Sequence, residues 1–295
     1  MRKIVIRLGV SAAALLLLSL SMAVAEKSAS AKSVALPAAA LQTTNAVYAI
    51  AVSGNDIYVG GLFEGIGGVA AKNIARYNVQ SQKWFALGAD LQTGGNGVND
   101  AVHSITVLGA DIYVGGRFSR VYKSLNNSIG VRCVAKWNAN SQSWSALGSA
   151  ADGLSNGVNG DVNAAAVAGG NVYFVGGFKN AYHTATNFVV VNNVAVWNPT
   201  AGTWSALGKG IGTFLGDVKA ITVMGDNVYI GGQFPWVVRS NDYTLHVDCI
   251  ARWNLTTKNW FSLGVDSGGS GSNGVGGDVY ALANDGTNIY VGGLF

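Results

Sequence analysis

The sequence predicts an all-β fold, a β-propeller of four complete four-stranded blades and the first half of a fifth, on the strength of three observations. A segment with a tyrosine followed by paired glycines recurs five times along the 295 residues. Each copy lies within a unit that contains short apolar segments separated by turn residues. The chain also has 41 glycines and only 12% charged residues, a composition typical of many tight turns between buried strands.

The recurring segment reads I-Y-V-G-G-L-F in its first copy and returns at intervals of 55, 60, 56 and 61 residues. The copies align on Tyr58, Tyr113, Tyr173, Tyr229 and Tyr290. Because self-similarity at a long period is the signature of a repeat architecture, each copy marks one structural unit. The third copy, V-Y-F-V-G-G-F, carries its glycine pair one position later, which predicts a bulge or a change of register in that unit.

The first unit shows the four predicted strands. An apolar first strand at 47–52 is followed by a turn of small and polar residues, and the second strand ends in the glycine pair. A variable loop leads to the third strand at 73–78, and a polar turn leads to the fourth at 84–88. Four antiparallel strands at even spacing predict a propeller blade, and each blade is buried between its two neighbours. The predicted blades, called units 1 to 5 below, span residues 45–88, 101–148, 161–208, 217–264 and, in part, 278–295.

Each complete unit also carries an aromatic residue and a tryptophan seven positions later. The pairs are Tyr77 with Trp84, Trp137 with Trp144, Trp197 with Trp204, and Trp253 with Trp260. With the glycine pair, this pattern resembles the kelch-like propellers, the family of the central domain of galactose oxidase. The Ala-Leu-Gly after three of these tryptophans and the Asn-Gly-Val linkers are similar to bacterial cell-surface repeat proteins and to the extracellular part of fungal cortical-marker proteins of bud-site selection. The resemblance covers residues 45–295 and implies a fold; kelch-like propellers include both enzymes and binding modules.

The first 25 residues predict a secretory signal peptide. A basic start with Arg2, Lys3 and Arg7 precedes an apolar run, and Ala23-Val24-Ala25 forms an A-x-A cleavage site. An uncleaved membrane anchor is the alternative, but the apolar core is short and no second span follows. We therefore expect a secreted, periplasmic or cell-surface protein, with residues 26–44 as a flexible lead-in. Cleavage lowers the net charge from +4 to +1, which gives no indication of nucleic-acid binding.

The sequence contains no recognisable catalytic or metal-binding motif, so it predicts neither an enzyme nor a cofactor. The histidines, His103, His183 and His246, each lie in a different repeat, and no pair has metal-ligand spacing. The repeated tyrosines and tryptophans occupy fixed strand positions, which predicts packing between blades rather than a sugar-binding platform.

The two cysteines are predicted to be buried and unpaired. Cys133 and Cys249 occupy equivalent third-strand positions, where units 1 and 3 carry Asn73 and Asn193. They are separated by a whole blade, about 20 Å if packed sheets lie about 10 Å apart, whereas a disulfide needs Cα atoms within about 7 Å.

The leading functional hypothesis is a non-catalytic binding or adhesion module for an extracellular protein or glycan. Two alternatives remain open: a fragment of an exported carbohydrate-active oxidase or lyase whose catalytic residues lie beyond residue 295, or a structural envelope protein. The chain ends after the second strand of unit 5, so we also expect further blades or a partner strand at an open C-terminal edge.

Two sets of residues are predicted to bind the ligand on the face where the first strands begin. The long loops after the second strands carry Tyr122, Tyr182, His183, Trp236, Arg239, Tyr243 and His246. One variable position near the start of each first strand carries Tyr48, His103, Asn163, Lys219 and Tyr280. We expect alanine at Trp236 and Tyr243 together to abolish binding with little effect on thermal stability; the alternative is that the loops are tolerated insertions.

Overall fold

The computed structural model is all-β. It describes residues 43, 45–88, 95–124, 127–149, 156–212, 216–264 and 273–295. Within these ranges the secondary structure consists of strands and turns, and no helix is long and apolar enough to cross a membrane. The predicted signal peptide and most of the predicted lead-in lie outside the described residues. Thr43, within that lead-in, forms an antiparallel bridge with Ile66.

The strands follow the predicted units. Unit 1 contains β1 (Val47–Ser53), β2 (Asp56–Gly61), β3 (Gly65–Ile66), β4 (Val69–Ala70), β5 (Ile74–Asn78) and β6 (Lys83–Ala86). Unit 2 contains β7 (Val102–Leu108), β8 (Asp111–Gly116), β9 (Arg120–Ser124), β10 (Asn127–Gly130), β11 (Val134–Asn138) and β12 (Ser143–Ser145). The linker strand β13 (Gly157–Val158) precedes unit 3, which contains β14 (Val162–Ala168), β15 (Asn171–Gly176), β16 (Asn180–Tyr182), β17 (Phe188–Val190), β18 (Val194–Asn198) and β19 (Thr203–Ala206).

Units 4 and 5 repeat the scheme. Unit 4 contains β20 (Asp217–Met224), β21 (Asn227–Gln233), β22 (Trp236–Val238), β23 (Thr244–His246), β24 (Ile250–Asn254) and β25 (Asn259–Phe261), and unit 5 contains β26 (Asp278–Asn284) and β27 (Ile289–Leu294). Each of units 1 to 4 forms one antiparallel sheet with its four main strands in sequential order, as in β1-β2-β5-β6. The first strands of consecutive units, β1, β7, β14, β20 and β26, contact one another in turn.

Every first strand contains an irregularity at the same place. In unit 1 the pairing with the second strand skips one residue between Val47 and Ala49. The same skip occurs at Val102/Ser104, Val162/Ala164, Val218/Ala220 and Val279/Ala281. Unit 3 does contain a bulge, but the bulge is not caused by its displaced glycine pair, because all five units share it.

The glycine pair explains why unit 3 keeps this common register. A Cβ on the glycine three residues after the aligned tyrosine would overlap the backbone carbonyl of the residue at the start of the first strand, as Gly176 would overlap Asp161. A Cβ on the residue before it, such as Gly115, would overlap side chains instead of backbone, here Val162 of the next unit and Ser104 of its own unit. Unit 3 has Val175 where the other units have the first glycine of the pair, and it retains Gly176 at the position that contacts the backbone, so its strand pairing is unchanged.

The repeated aromatic residues join neighbouring units. The indole Nε1 of Trp144, Trp204 and Trp260 donates to the carbonyl of Leu87, Leu147 and Leu207, respectively, each in the preceding unit, at 2.9, 3.1 and 3.0 Å. The four tryptophans at this position and the tyrosines of the first four second strands are all buried. They are therefore part of the packing between sheets and are not exposed as a binding platform.

The loops after the second strands are β-hairpins. β9 pairs with β10, β16 with β17 and β22 with β23, and the shorter β3 pairs with β4. Each hairpin also bridges to the linker that precedes its own unit, as Val98 does to Val121 and Ile211 to Val237. The strands of each hairpin are therefore attached both to each other and to the preceding linker.

The cysteine positions lie immediately before the third strand, one residue earlier than predicted. Asn73, Cys133, Asn193 and Cys249 all have positive φ, between 58° and 74°. Both cysteines are unpaired, as predicted, but half-buried rather than fully buried. Asn73 and Asn193 also donate side-chain hydrogen bonds to the linker that follows, at Val98 and Gly216, which a cysteine cannot reproduce.

Candidate functional site

The five first-strand residues predicted to bind a ligand are the five residues at the bulges. Tyr48, His103, Asn163, Lys219 and Tyr280 are each the residue that the strand pairing skips. All five are half-buried. A bulge redirects a side chain out of the regular alternation of a strand, and bulges are frequent next to functional sites. Because consecutive first strands are in contact, these redirected side chains lie in one row.

Contacts between units connect the members of this row. The rings of Tyr48 and His103 meet edge to face, with centroids 5.4 Å apart. Asn163 donates to the carboxylate of Asp217 at 2.7 Å, and Lys219 donates to the other oxygen of the same carboxylate at 2.9 Å. The Lys219 ammonium also lies 5.8 Å from the centroid of the Tyr280 ring.

Three charged residues that the sequence prediction missed belong to the same arrangement. Asp161 and Asp217 immediately precede the first valine of their first strands, and Arg117 immediately follows the glycine pair of unit 2. Arg117 pairs with Asp161 across two units, Nε to Oδ2 at 3.2 Å. Their fixed positions beside the repeated valine and glycine pair could have identified them. We call the five bulge residues together with Arg117, Asp161 and Asp217 the rim.

Burial lowers the pKa of His103 below its ordinary value of 6.5, against the opposing effect of the Asp161 carboxylate; Arg117 lowers it further, and Asp100 raises it. The imidazole is therefore neutral in the folded protein near neutral pH. The unfolded chain binds a proton more readily, so the stability contributed by neutral His103 is lost as the pH falls below 6.5.

We expect the midpoint of thermal unfolding to fall more steeply between pH 7 and pH 5 in the unmodified protein than in His103→Gln, because glutamine does not titrate. Thermal unfolding followed by circular dichroism at both pH values measures the difference. Parallel pH profiles for the two proteins would contradict this assignment.

The predicted tyrosines of units 2 and 3 make equivalent contacts with the preceding unit. The Lys72 ammonium lies 5.7 Å from the centroid of the Tyr122 ring, and the Arg132 guanidinium lies 4.9 Å from that of Tyr182. A cation over an aromatic ring is a favourable electrostatic contact. Each tyrosine thus connects its hairpin to the preceding unit, because its ring faces a cationic side chain of that unit.

Most of the remaining loop residues make contacts within the protein. The Nε2 atom of His183 accepts a hydrogen bond from the backbone of Trp204 at 3.2 Å. Trp236 meets His246 across its hairpin, with ring centroids 5.7 Å apart, and it leaves no room for a side chain at Gly212. Because Trp236 packs against the linker in this way, its truncation is expected to affect stability as well as any ligand contact.

In the unit 4 hairpin, the Arg239 side chain is held by hydrogen bonds within the protein, whereas the Tyr243 side chain is exposed. Both Nε and Nη2 of Arg239 donate to the carbonyl of Trp260, at 3.1 and 3.0 Å. The Tyr243 ring lies 5.2 Å from the Arg239 guanidinium but remains 50% exposed. The loop residues are therefore distributed over three hairpins, whereas the rim brings its residues together.

No group of three or more His, Cys, Asp or Glu side chains is placed to hold a metal ion in the described ranges. Burial raises the pKa of the Cys133 thiol to about 11, and the Asp161 carboxylate acts in the same direction. A thiol in this state is a poor nucleophile, because the thiolate is the reactive form.

Comparisons with known proteins give one similarity in sequence and several in structure. No protein-family model matches the chain. The polarized growth protein Rax2 of Schizosaccharomyces pombe is 28% identical over 113 residues, which is 37% of this chain but only 10% of the length of that protein.

Among solved structures, YjhT is similar with a TM-score of 0.44 and 17% identity, over 83% of this chain and 73% of that one. The extracellular domain of the putative one-component system BT4673 from B. thetaiotaomicron has a TM-score of 0.46 and 16% identity, over 83% of this chain and 26% of that one. These structural similarities are too low to carry an argument about function.

Proposed function

We propose that the chain is an exported, non-catalytic binding module with a kelch-like propeller fold, and that the rim recognises an extracellular protein or glycan. The observation that carries this proposal is the bulge that recurs in all five first strands. A framework of apolar strands repeats, yet the residue that the bulge redirects varies, being Tyr, His, Asn, Lys and again Tyr in units 1 to 5. A fixed scaffold that presents variable polar and aromatic side chains at one place is suited to binding.

Other observations support the architecture and the location. Four-stranded sheets whose first strands contact one another in sequence support a propeller arrangement. The similarity to a polarized growth protein agrees with the resemblance of the repeats to the extracellular part of fungal cortical-marker proteins. The predicted signal peptide supports export. No catalytic role or cofactor is proposed, because the sequence carries no recognisable catalytic motif.

The rim can be tested by removing the aromatic and cationic groups at two of its positions. Purified protein is applied to a glycan array and to a panel of extracellular proteins, and the same screen is repeated with Tyr48→Ala combined with Lys219→Ala. We expect the double variant to lose at least about tenfold in affinity, about 1.4 kcal/mol, for any ligand that the unmodified protein binds. Both side chains belong to the rim and are only half-buried, so the sheets should remain folded when they are removed.

Lys83→Ala provides the matched control, because Lys83 is an exposed cation at the start of β6, remote from the start of the first strands. It should bind as the unmodified protein does, and all variants should retain their thermal unfolding transition. Equal affinity in the rim variant and the control, or no binding to any array member, would overturn the proposal.

A further inference from the structure

A cleft of about 500 Å³ lies between units 4 and 5, on the face where the first strands begin. Phe234, Pro235 and Val275 form its apolar wall, and Gln233, Asp248 and Cys249 contribute its polar atoms. This volume is within the range of small-ligand sites, which are largely apolar with a few polar groups that fix orientation. The cleft is next to the rim but is lined by different residues.

The repeat allows the same place to be compared at the junction of units 2 and 3. Gln233 corresponds to Arg117, because each follows the glycine pair, and Asp278 corresponds to Asp161, because each precedes the first valine of the next unit. At the earlier junction the Arg117 guanidinium pairs with the Asp161 carboxylate at 3.2 Å. The later junction therefore has the carboxylate but lacks the cation.

The Asp278 carboxylate forms neither a hydrogen bond nor an ion pair in the part of the chain that the structure describes. The corresponding carboxylates are both occupied, since Asp161 holds Arg117 and Asp217 holds Lys219 and Asn163. Asp278 directly follows Gly277, which lines the cleft. Its negative charge is thus available to a group that enters from outside.

The electrostatics of the cleft favour a cation. Asp248 lines the cleft, and Asp278 follows Gly277 of its wall. Burial raises the pKa of the Cys249 thiol, a backbone hydrogen bond at Phe234 lowers it, and the carboxylates of Asp278 and Asp248 raise it. Asp248 accepts a hydrogen bond from the backbone of Asn273 at 3.3 Å through Oδ2. Among the described residues that line the cleft there is no lysine, arginine or histidine.

We propose that this cleft binds an arginine side chain of a partner polypeptide, with its guanidinium on Asp278 in the place that Arg117 takes beside Asp161. The inference rests on the proposed binding role of the chain, and it adds a site and a partner chemistry to that role. The planar guanidinium matches a carboxylate with two parallel hydrogen bonds, and it is weakly hydrated. Its aliphatic stem would lie against Pro235 and Val275, which are accessible at the cleft wall.

The test uses the peptide acetyl-Gly-Arg-Gly-amide and its citrulline analogue, which has the same shape without the charge. Isothermal titration calorimetry with the purified protein should show binding of the arginine peptide, with at least about tenfold weaker binding of the citrulline peptide. Asp278→Asn should reduce the affinity for the arginine peptide by a similar factor. Gln233→Arg should also abolish binding, because it supplies the internal cation that unit 2 already has.

Asp226→Asn is the matched control, since Asp226 is an exposed acid in the turn at the opposite end of unit 4, and it should bind the peptide normally. Thermal unfolding of each variant distinguishes loss of the site from loss of the fold. Unchanged peptide affinity in both Asp278→Asn and Gln233→Arg, equal binding of the two peptides, or no binding of either would overturn the inference. Because the rim assay uses other residues and other ligands, such a result would leave the proposed function standing.

Discussion

Gly176→Ala is expected to destabilise the protein by about 3 kcal/mol, whereas Gly177→Ala, one residue further along, should have little effect. A Cβ on Gly176 would overlap the carbonyl oxygen of Asp161, which belongs to the backbone at the start of the first strand. Neither strand can move independently, because Val162 on one side pairs with Gly176 on the other. Overpacking against such a rigid neighbour is costly, typically about 1–3 kcal/mol and sometimes more.

The adjacent glycine isolates this steric effect. A Cβ on Gly177 would meet only the Asp217 carboxylate, at 3.7 Å, and Gly177 has no positive φ. Equilibrium unfolding in urea compares the two variants with the unmodified protein. If Gly176→Ala proved as stable as Gly177→Ala, the bulge could not be the reason that every unit has a glycine three residues after the aligned tyrosine.

The repeat made much of this architecture predictable. The same short motif in five places requires five similar environments, so the positions of the main strands follow from aligning Tyr58 with its equivalents. The variable position in each first strand was also visible, because Tyr48 and His103 interrupt an otherwise repeated apolar pattern. The bulge that redirects those side chains was not visible, since it arises from the pairing of two strands and leaves no mark in either alone.

The loop residues were less predictable for a related reason. His183 is predicted to bind the ligand, and nothing in the sequence indicated that its imidazole accepts a hydrogen bond from the backbone of Trp204, 21 positions away. Arg239 similarly donates to the carbonyl of Trp260. A loop sequence rich in polar and aromatic residues looks the same whether those side chains face solvent or a neighbouring strand. Only the fold of the hairpin over its own sheet decides between the two.

The tryptophans that join the units lead to a second large effect. We expect Trp204→Phe to cost about 1–2 kcal/mol more in the free energy of unfolding than Trp84→Phe, the same substitution at the equivalent position of unit 1. The Trp204 indole donates to the carbonyl of Leu147 at 3.1 Å, whereas the buried Trp84 indole has no partner in the described part of the chain. Both variants lose the same ring volume, so the difference reports the hydrogen bond between units 2 and 3.

Leu147 makes this comparison sharper than the other junctions would. Its side chain is 1% exposed, and in the described residues its carbonyl accepts from Trp204 without a second donor, while Leu87 also accepts from the backbone of Gly97. Phenylalanine at position 204 would therefore leave the buried Leu147 carbonyl without a donor. The desolvation penalty of an unsatisfied buried group is the main cost of removing a hydrogen bond. Urea unfolding of both variants measures the difference directly. Equal losses would mean that the indole hydrogen bond contributes nothing to cohesion between units, and that apolar contact alone holds the sheets together.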